Sequence, residues 1–112
     1  MGMQPWMTQL RKGLVELCVM AALRDGEAYG YQIVERLGRA AGLELTESTV
    51  YPLLARLERD GLLLVRTAPS PSGPPRRYYR LTGAGRQRLG DMARHWHEVQ
   101  DSVTRLLEGG AL

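Results

Sequence analysis

The feature that most constrains this chain is one apolar stripe near its C-terminal end. Its members are separated by three or four residues in strict alternation: Leu89, Met92, Trp96, Val99, Val103 and Leu106. This spacing places all of them on one face of a helix, as in helices that pair with other helices. A chain of 112 residues has too small a core to cover so long a stripe. The sequence therefore predicts that a second copy covers it, in a two-fold homodimer.

Three shorter helices are predicted ahead of this one, from apolar residues that recur every three or four positions. They cover residues 8–24, 31–41 and about 46–61. Thr46 and Ser48 are both suitable N-caps for the third helix, and the sequence leaves both open. If Thr46 is the cap, we expect Pro52 to bend or loosen the first turn, because proline removes a backbone donor.

A β-hairpin is predicted between the third helix and the last one. Residues 62–67 are rich in β-forming side chains, and residues 76–81 alternate between two faces. Residues 68–75 hold four of the six prolines, so they form a stiff tip. Because a lone hairpin is only marginally stable in water, one of its faces must lie on the helices. Thr82 is then predicted to cap a final helix that runs to about Leu107.

This order of elements is that of a winged helix-turn-helix with an appended helix. The predicted fold class is therefore mainly α with a small β-hairpin, in which residues 1–82 form a winged helix-turn-helix DNA-binding domain and 83–112 a long C-terminal dimerisation helix. Burial of the third helix's apolar stripe leaves small and polar residues exposed for close approach to the DNA major groove. The candidate contacts there are Ser48, Thr49, Tyr51, Pro52, Arg56 and Arg59. Alternatively, Ser48, Thr49 and Tyr51 serve only for capping and surface packing.

The positive charge of the chain is concentrated in its middle. Between residues 46 and 82 there are six arginines and three acids, and charges balance on either side, so the whole net charge of +3 arises there. A local basic field indicates a polyanionic partner such as nucleic acid. A solvated arginine-rich surface explains the charge equally well. On the hairpin, Arg76, Arg77 and Tyr78 are predicted to form a second DNA contact beside the third helix.

Four segments of the sequence resemble the PadR family of regulators. They are LRKG (10–13), YGYQI (29–33), STVYPLLARLERDGL (48–62) and GPPRRYYRLT (73–82), the last followed by Gly85. The resemblance extends over about residues 9–107, nearly the whole chain. The single C-terminal helix is similar to the short subgroup of the family rather than to members with a larger C-terminal domain.

The resemblance implies a dimeric repressor, often one that controls efflux, detoxification or stress genes and is released by a small effector. We interpret the chain as a two-fold dimer that binds a palindromic DNA operator sequence-specifically. The resemblance also implies that Tyr51 contacts DNA, that the hairpin arginines meet phosphate or the minor groove, and that the last helix pairs with the partner's first helix. Arg11 and Lys12 are expected to contact the DNA backbone, unless they are ordinary solvated charges. Trp96 is expected to line a pore for a small flat aromatic effector, or else to be a packing anchor alone.

Other classes of function gain little support from the residues. His95 and His97 are two positions apart on a helix, so they point in different directions and cannot share a metal. There is no phosphate-binding loop and no nucleophile motif. We therefore expect no enzymatic activity, no metal site and no cofactor. The lone Cys18 is interpreted as a core residue.

The apolar runs are too short to span a bilayer, and the N-terminus lacks a signal-peptide pattern, so no membrane association and a cytoplasmic location are expected. Two alternatives to a DNA-binding repressor stay open. One is a winged-helix protein-interaction module that does not bind DNA, for which the basic hairpin would have no purpose. The other is an efflux-linked multidrug sensor, which differs from the main interpretation only in its effector.

Overall fold

A computed structural model describes residues 2, 4–39 and 45–109 of the chain. Over these residues the elements are, in chain order, α1 (Gln4–Ala22), β1 (Ala28–Tyr29), α2 (Gly30–Gly38), α3 (Glu47–Arg59), β2 (Leu63–Ala68), β3 (Arg76–Leu81) and α4 (Gly83–Leu107). The predicted fold class is confirmed, since helices dominate, a hairpin follows α3 and a long helix ends the described chain. The boundaries differ in places.

The ends of the first three helices differ from the predicted ones by up to four residues. Helix α1 begins at Gln4, before the predicted start at Thr8, because Pro5 is well tolerated in a first turn, where its missing N–H has no helical partner. Helix α2 ends at Gly38, followed by Arg39 as its C-cap. The predicted end at residue 41 lies outside the described residues.

Thr46 is the N-cap of α3, which selects one of the two caps that the sequence left open. The Thr46 carbonyl accepts hydrogen bonds from the N–H groups of Thr49 (3.0 Å) and Val50 (2.9 Å), so the first turn is closed rather than loosened. Pro52 lies inside the helix, and the Ser48 carbonyl therefore has no helical N–H donor four residues on. Ser48 is exposed, so water can bond to this carbonyl.

The strands form one antiparallel sheet in the order β1-β3-β2. The predicted hairpin is present, with Leu63 opposite Leu81 and Ala68 opposite Arg76. Strand β1 was not predicted; it pairs with β3 through Tyr29 opposite Tyr78. A strand of two residues is too short to show an alternating pattern, so only its partner strand reveals it.

The core lies between the first three helices and the inner face of the sheet. Its largest fully buried side chains are Met20, Leu23, Ile33, Leu54, Leu57, Leu63, Val19 and Val50. Tyr79 and Leu81 of β3 are also buried, so this face of the hairpin lies on the helices as predicted. Cys18 packs against the core but is only partly buried, and this burial raises the pKa of its thiol.

Helix α4 starts where the sequence predicts. The Thr82 hydroxyl accepts a hydrogen bond from the Gly85 N–H (2.9 Å) and donates one to the Gly61 carbonyl (2.8 Å). These two bonds fix the start of α4 to the turn that follows α3. Leu89 and Met92, in the first half of α4, pack against the core.

Candidate nucleic-acid interface

One face of α3 is buried and the other is exposed. Val50, Leu53, Leu54 and Leu57 form the buried stripe that the sequence predicts. The residues that it leaves exposed include all six candidate contacts of this helix: Ser48, Thr49, Tyr51, Pro52, Arg56 and Arg59. A ligand approaching the outer face of α3 therefore meets small, polar and basic side chains.

Tyr51 is exposed over 40% of its surface, but its ring is held in place by α2. A Cβ added at Gly30 would lie 2.1 Å from Cε1 of Tyr51, so the ring occupies the space of a missing side chain. Partial burial raises the pKa of the Tyr51 hydroxyl, and the negative charge of Glu47 adds to the effect. The phenol therefore stays protonated and can donate a hydrogen bond at neutral pH.

Tyr51 and the hairpin arginines line one shared groove of about 250 Å³. Its lining residues are Tyr29, Gly30, Tyr31, Tyr51, Pro75, Arg76, Arg77 and Tyr79. The fold thus brings together candidates that are about 25 positions apart in the sequence. Tyr51, Arg76 and Arg77 of this groove were predicted contacts. Tyr31 was not predicted, and it is 51% exposed at the start of α2.

The hairpin is attached to the rest of the fold by stacked side chains. The Arg76 guanidinium lies 4.4 Å from the ring centroid of Tyr29, and this ring meets Tyr78 edge-on with a centroid distance of 5.5 Å. Arg66 lies over the other ring, 4.6 Å from the centroid of Tyr78. Arg66 also donates to both carboxylate oxygens of Glu27, and these bonds lower the pKa of that carboxyl. Arg76 is therefore oriented by β1 rather than left to move with the tip.

Two of the candidate arginines bond to acidic side chains. Arg77 donates to Glu58 of α3 (2.9 Å) and to the Tyr79 hydroxyl (3.3 Å), which links the hairpin to α3. Arg56 donates to Glu16 of α1 (2.7 Å). In contrast, Arg59 is exposed and has no ion-pair partner among the residues that the structure describes.

Arg11 and Lys12 of α1 lie beside the start of α3. They line a groove of about 260 Å³ together with Thr8, Val15, Leu45, Thr46 and Thr49. Two cations from the first helix thus stand next to the exposed N-terminal turn of α3. Their position supports the expectation that they share a ligand with this turn, and their role as contacts stays a prediction.

Glu16 was not predicted to have a role, yet it forms ion pairs with two arginines. Its carboxylate, whose side chain is 18% exposed, accepts from Arg56 of α3 and from Arg88 of α4. Partial burial raises the pKa of Glu16, but the hydrogen bonds and charges of the two arginines outweigh this and hold it below its usual value. Its partners are far away in the sequence, so no local signal announces them.

The apolar stripe of α4 forms a second surface, separate from the groove that Tyr51 lines. Its first half is partly covered, whereas Val99, Val103 and Leu106 are exposed over 55%, 47% and 61% of their surfaces. On α1, Trp6 and Leu10 are also exposed. Between the two helices lies an apolar groove of about 470 Å³, lined by Gln9, Leu10, Gly13, Leu14, Leu17, Met92, His95, Trp96 and Val99.

Within the described part of the chain, no three His, Cys, Asp or Glu side chains are grouped so that they could hold a metal ion. No helix among the described residues is both long enough and apolar enough to cross a membrane.

The exposed third helix, the hairpin beside it and the added C-terminal helix define a winged-helix protein of the kind that sequence analysis predicted. A family model described as the transcriptional regulator PadR-like family matches residues 19–91. The chain therefore belongs to the PadR-like family of transcriptional regulators. This family membership agrees with the expectation that the chain is not an enzyme.

Known relatives match most of the chain. It is 35% identical over 97 residues to the transcriptional regulator Rv3488 of Mycobacterium tuberculosis. The aligned residues cover 87% of this chain and 89% of that protein. A PadR family transcriptional regulator from Eggerthella lenta has a TM-score of 0.82 and 37% identity, covering 94% of this chain and 91% of that one. Bacillus subtilis PadR, in complex with operator DNA, has a TM-score of 0.67 and 28% identity, covering 71% of this chain and 45% of that one.

The contact between Gly30 and Tyr51 predicts the effect of one methyl group. In Gly30→Ala, the new Cβ would stand 2.1 Å from the Tyr51 ring, so the ring must move out of its place. Alanine is a good helix former, so we expect the chain to stay folded, with the free energy of unfolding lowered by about 1–3 kcal/mol. NMR spectra of ring-labelled tyrosine should show a large change in the Tyr51 signals.

Gly38→Ala is the matched control for this change. Gly38 lies in the same helix, and nothing stands within 4 Å of a Cβ added there. This variant should leave the Tyr51 signals in place and stabilise α2 by about 0.5–1 kcal/mol. Wild-type Tyr51 signals in Gly30→Ala would show that the ring does not rest on α2.

Proposed function

We propose that this chain is a sequence-specific DNA-binding repressor that acts as a homodimer on a palindromic operator. The observation that carries the proposal is the groove that Tyr51 of α3 shares with Arg76 and Arg77 of the hairpin. A donor on an exposed helix and two cations beside it suit a base edge flanked by phosphates. The complex of Bacillus subtilis PadR with operator DNA supports the same partner for this chain. Such a role requires access to the chromosome, which makes the cytoplasm the expected location.

The candidate residues would have different tasks on the duplex. Ser48, Thr49, Tyr51 and Pro52 would approach the major groove, because their face of α3 is exposed and carries no long aliphatic side chain. Arg59, Arg76 and Arg77 would meet phosphates, and Tyr78 would support the hairpin through its contact with Tyr29. Arg11 and Lys12 would reach the backbone next to the start of α3, whose N–H groups also favour an anion.

The homodimer is proposed from the stripe of α4 and the exposed apolar residues of α1. Val99, Val103 and Leu106 lie on one face of a helix of 25 residues, and no described part of the chain covers them. Trp6 and Leu10 of α1 give a second apolar surface that the partner's α4 can cover. In this arrangement residues 1–82 bind DNA and residues 83–112 hold the dimer together. Two-fold symmetry would present two recognition helices about 34 Å apart, one turn of DNA.

The alternative function is a winged-helix module that binds another protein. The same exposed face of α3 would then be the docking surface, and the basic hairpin would have no anionic ligand. The net positive charge of residues 46–82 favours DNA, because a local basic field attracts a polyanion and a protein-interaction module does not need it.

Removing the charges of the hairpin tests the DNA interface. The operator is first selected from a pool of random duplexes, and its binding is compared with that of a scrambled duplex by fluorescence anisotropy at several salt concentrations. A dimer that neutralises about six to eight phosphates gives a log–log salt slope of about −5 to −7. Arg76→Ala/Arg77→Ala should weaken the binding of both duplexes and reduce the magnitude of the salt slope by about three to four.

The control is Arg94→Ala/Arg105→Ala, which removes two exposed charges from the polar face of α4. It should leave the slope unchanged. If Arg76→Ala/Arg77→Ala leaves DNA binding unaltered, the hairpin is not part of the DNA interface. A wild-type protein that prefers no duplex from the pool would favour the protein-interaction module.

The dimer is tested by charges placed in the stripe. Val99→Glu/Val103→Glu would bury carboxylates without partners at the interface, at a cost of several kcal/mol each. Sedimentation should show a monomer, and operator binding should be lost with it. Gln100→Glu/Thr104→Glu adds the same charge at exposed positions next to the stripe and should remain dimeric. A wild-type chain that sediments as a monomer at micromolar concentration would contradict the proposal.

An effector site is proposed in the groove between α1 and α4, where Trp96 offers an aromatic face to a flat ligand. In a Trp6→Phe background, a planar dye such as proflavine should quench the remaining tryptophan with saturation. The Trp96→Ala variant should then remain a dimer but no longer bind the dye. If no planar compound quenches Trp96, and Trp96→Ala weakens the dimer, this residue is a packing anchor only.

A further inference from the structure

Glu16 connects three helices through a single carboxylate. Its Oε1 accepts from Nη2 of Arg56 in α3 at 2.7 Å, and its Oε2 accepts from Nη2 of Arg88 in α4 at 3.0 Å. The Glu16 side chain is 18% exposed, less than either arginine, so both guanidinium groups reach in from the surface to one partly buried acid. Such partly shielded, charge-assisted bonds are stronger than exposed ion pairs.

The position of this bridge relates it to both functional surfaces. On one side, Arg56 belongs to the helix whose outer face carries Tyr51. On the other side, Arg88 lies one turn before Met92, which lines the apolar groove between α1 and α4. Glu16 itself is adjacent to Leu17, another lining residue of that groove. A change in the separation of α1 and α4 would therefore alter the bonds of the carboxylate that also holds α3.

We propose that Glu16 is a positioning residue that couples α4 to the recognition helix α3 and thereby sets the preference for operator over other DNA. This inference rests on the proposed DNA-binding function. Glu16 does not itself meet DNA; it acts by fixing α3 against the helix that carries the dimer stripe. Arg88 acts on α3 only through Glu16, because the structure gives it no bond to α3 itself within the described residues.

The charge of the bridge gives this role a signature that loss of stability alone cannot produce. In Glu16→Gln the protein loses a negative charge, and Arg56 keeps only its longer, exposed ion pair with Asp60 at 3.5 Å. Non-specific DNA binding should then become equal or tighter, with a slightly steeper salt slope, because an arginine held only by an exposed acid can neutralise a phosphate. Operator binding should weaken, because α3 is no longer fixed. The ratio of the two affinities should fall about fivefold or more.

The experiment is a double-mutant cycle on the full-length chain with Glu16→Gln, Arg88→Gln and the double variant. Each protein is titrated with the duplex selected by the wild type and with a scrambled duplex of equal length, after its fold and its dimer are verified by circular dichroism and sedimentation. Arg88→Gln should lower the affinity ratio in the presence of Glu16. It should change the ratio by less than about twofold in the Glu16→Gln background.

Asp91→Asn is the matched control, since it also removes one negative charge, but from a pair with Arg94 inside α4. It should leave the affinity ratio unchanged. Additive effects of Glu16→Gln and Arg88→Gln, or a lowered melting temperature with an unchanged ratio, would overturn the coupling. These outcomes differ from failure of the proposed function, in which the wild type itself shows no preference between the two duplexes.

Discussion

The burial of one face of α3 is the constraint on which the rest of the structure depends. Val50, Leu54 and Leu57 are fully buried among the first two helices and the sheet, so α3 cannot rotate without exposing them to water. This burial alone decides that Ser48 and Tyr51 face outward. The apolar residues of one buried stripe thus decide which residues of α3 face outward, whereas α2 holds the Tyr51 ring and Glu16 holds Arg56.

The hairpin needs a different means of attachment, because its tip extends beyond the core. Only Tyr79 and Leu81 of β3 are buried, and they lie toward the helix end of the strand. Further out, the rings of Tyr29 and Tyr78 and the guanidinium of Arg76 replace aliphatic packing with aromatic and cation–π contacts. These contacts keep a charged surface attached without adding aliphatic residues to it. The short strand β1 therefore matters more for the interface than its length suggests.

The sequence predicted those parts of the fold that have a periodic local signal. The buried stripe of α3, the alternation of β3 and the cap at Thr82 are each formed by residues a few positions apart, and the structure confirms each. It did not predict β1 or the partners of Glu16, because a strand of two residues and an ion pair across the fold leave no periodic pattern.

Ion pairs decide how the basic charge of the middle segment is used. Arg77 is held by Glu58 and Arg56 by Glu16, so neither side chain is a freely moving cation. Exposed pairs of this kind contribute only about 0.2–1 kcal/mol, so Arg77 can exchange its exposed acid for a phosphate at little cost. The partner of Arg56 is more shielded, so the same exchange would break the bond between α3 and α1 and leave a partly buried carboxylate with Arg88 alone. Two arginines of equal formal charge thus differ in availability, and the difference comes from the burial of the acids beside them rather than from the sequence around them.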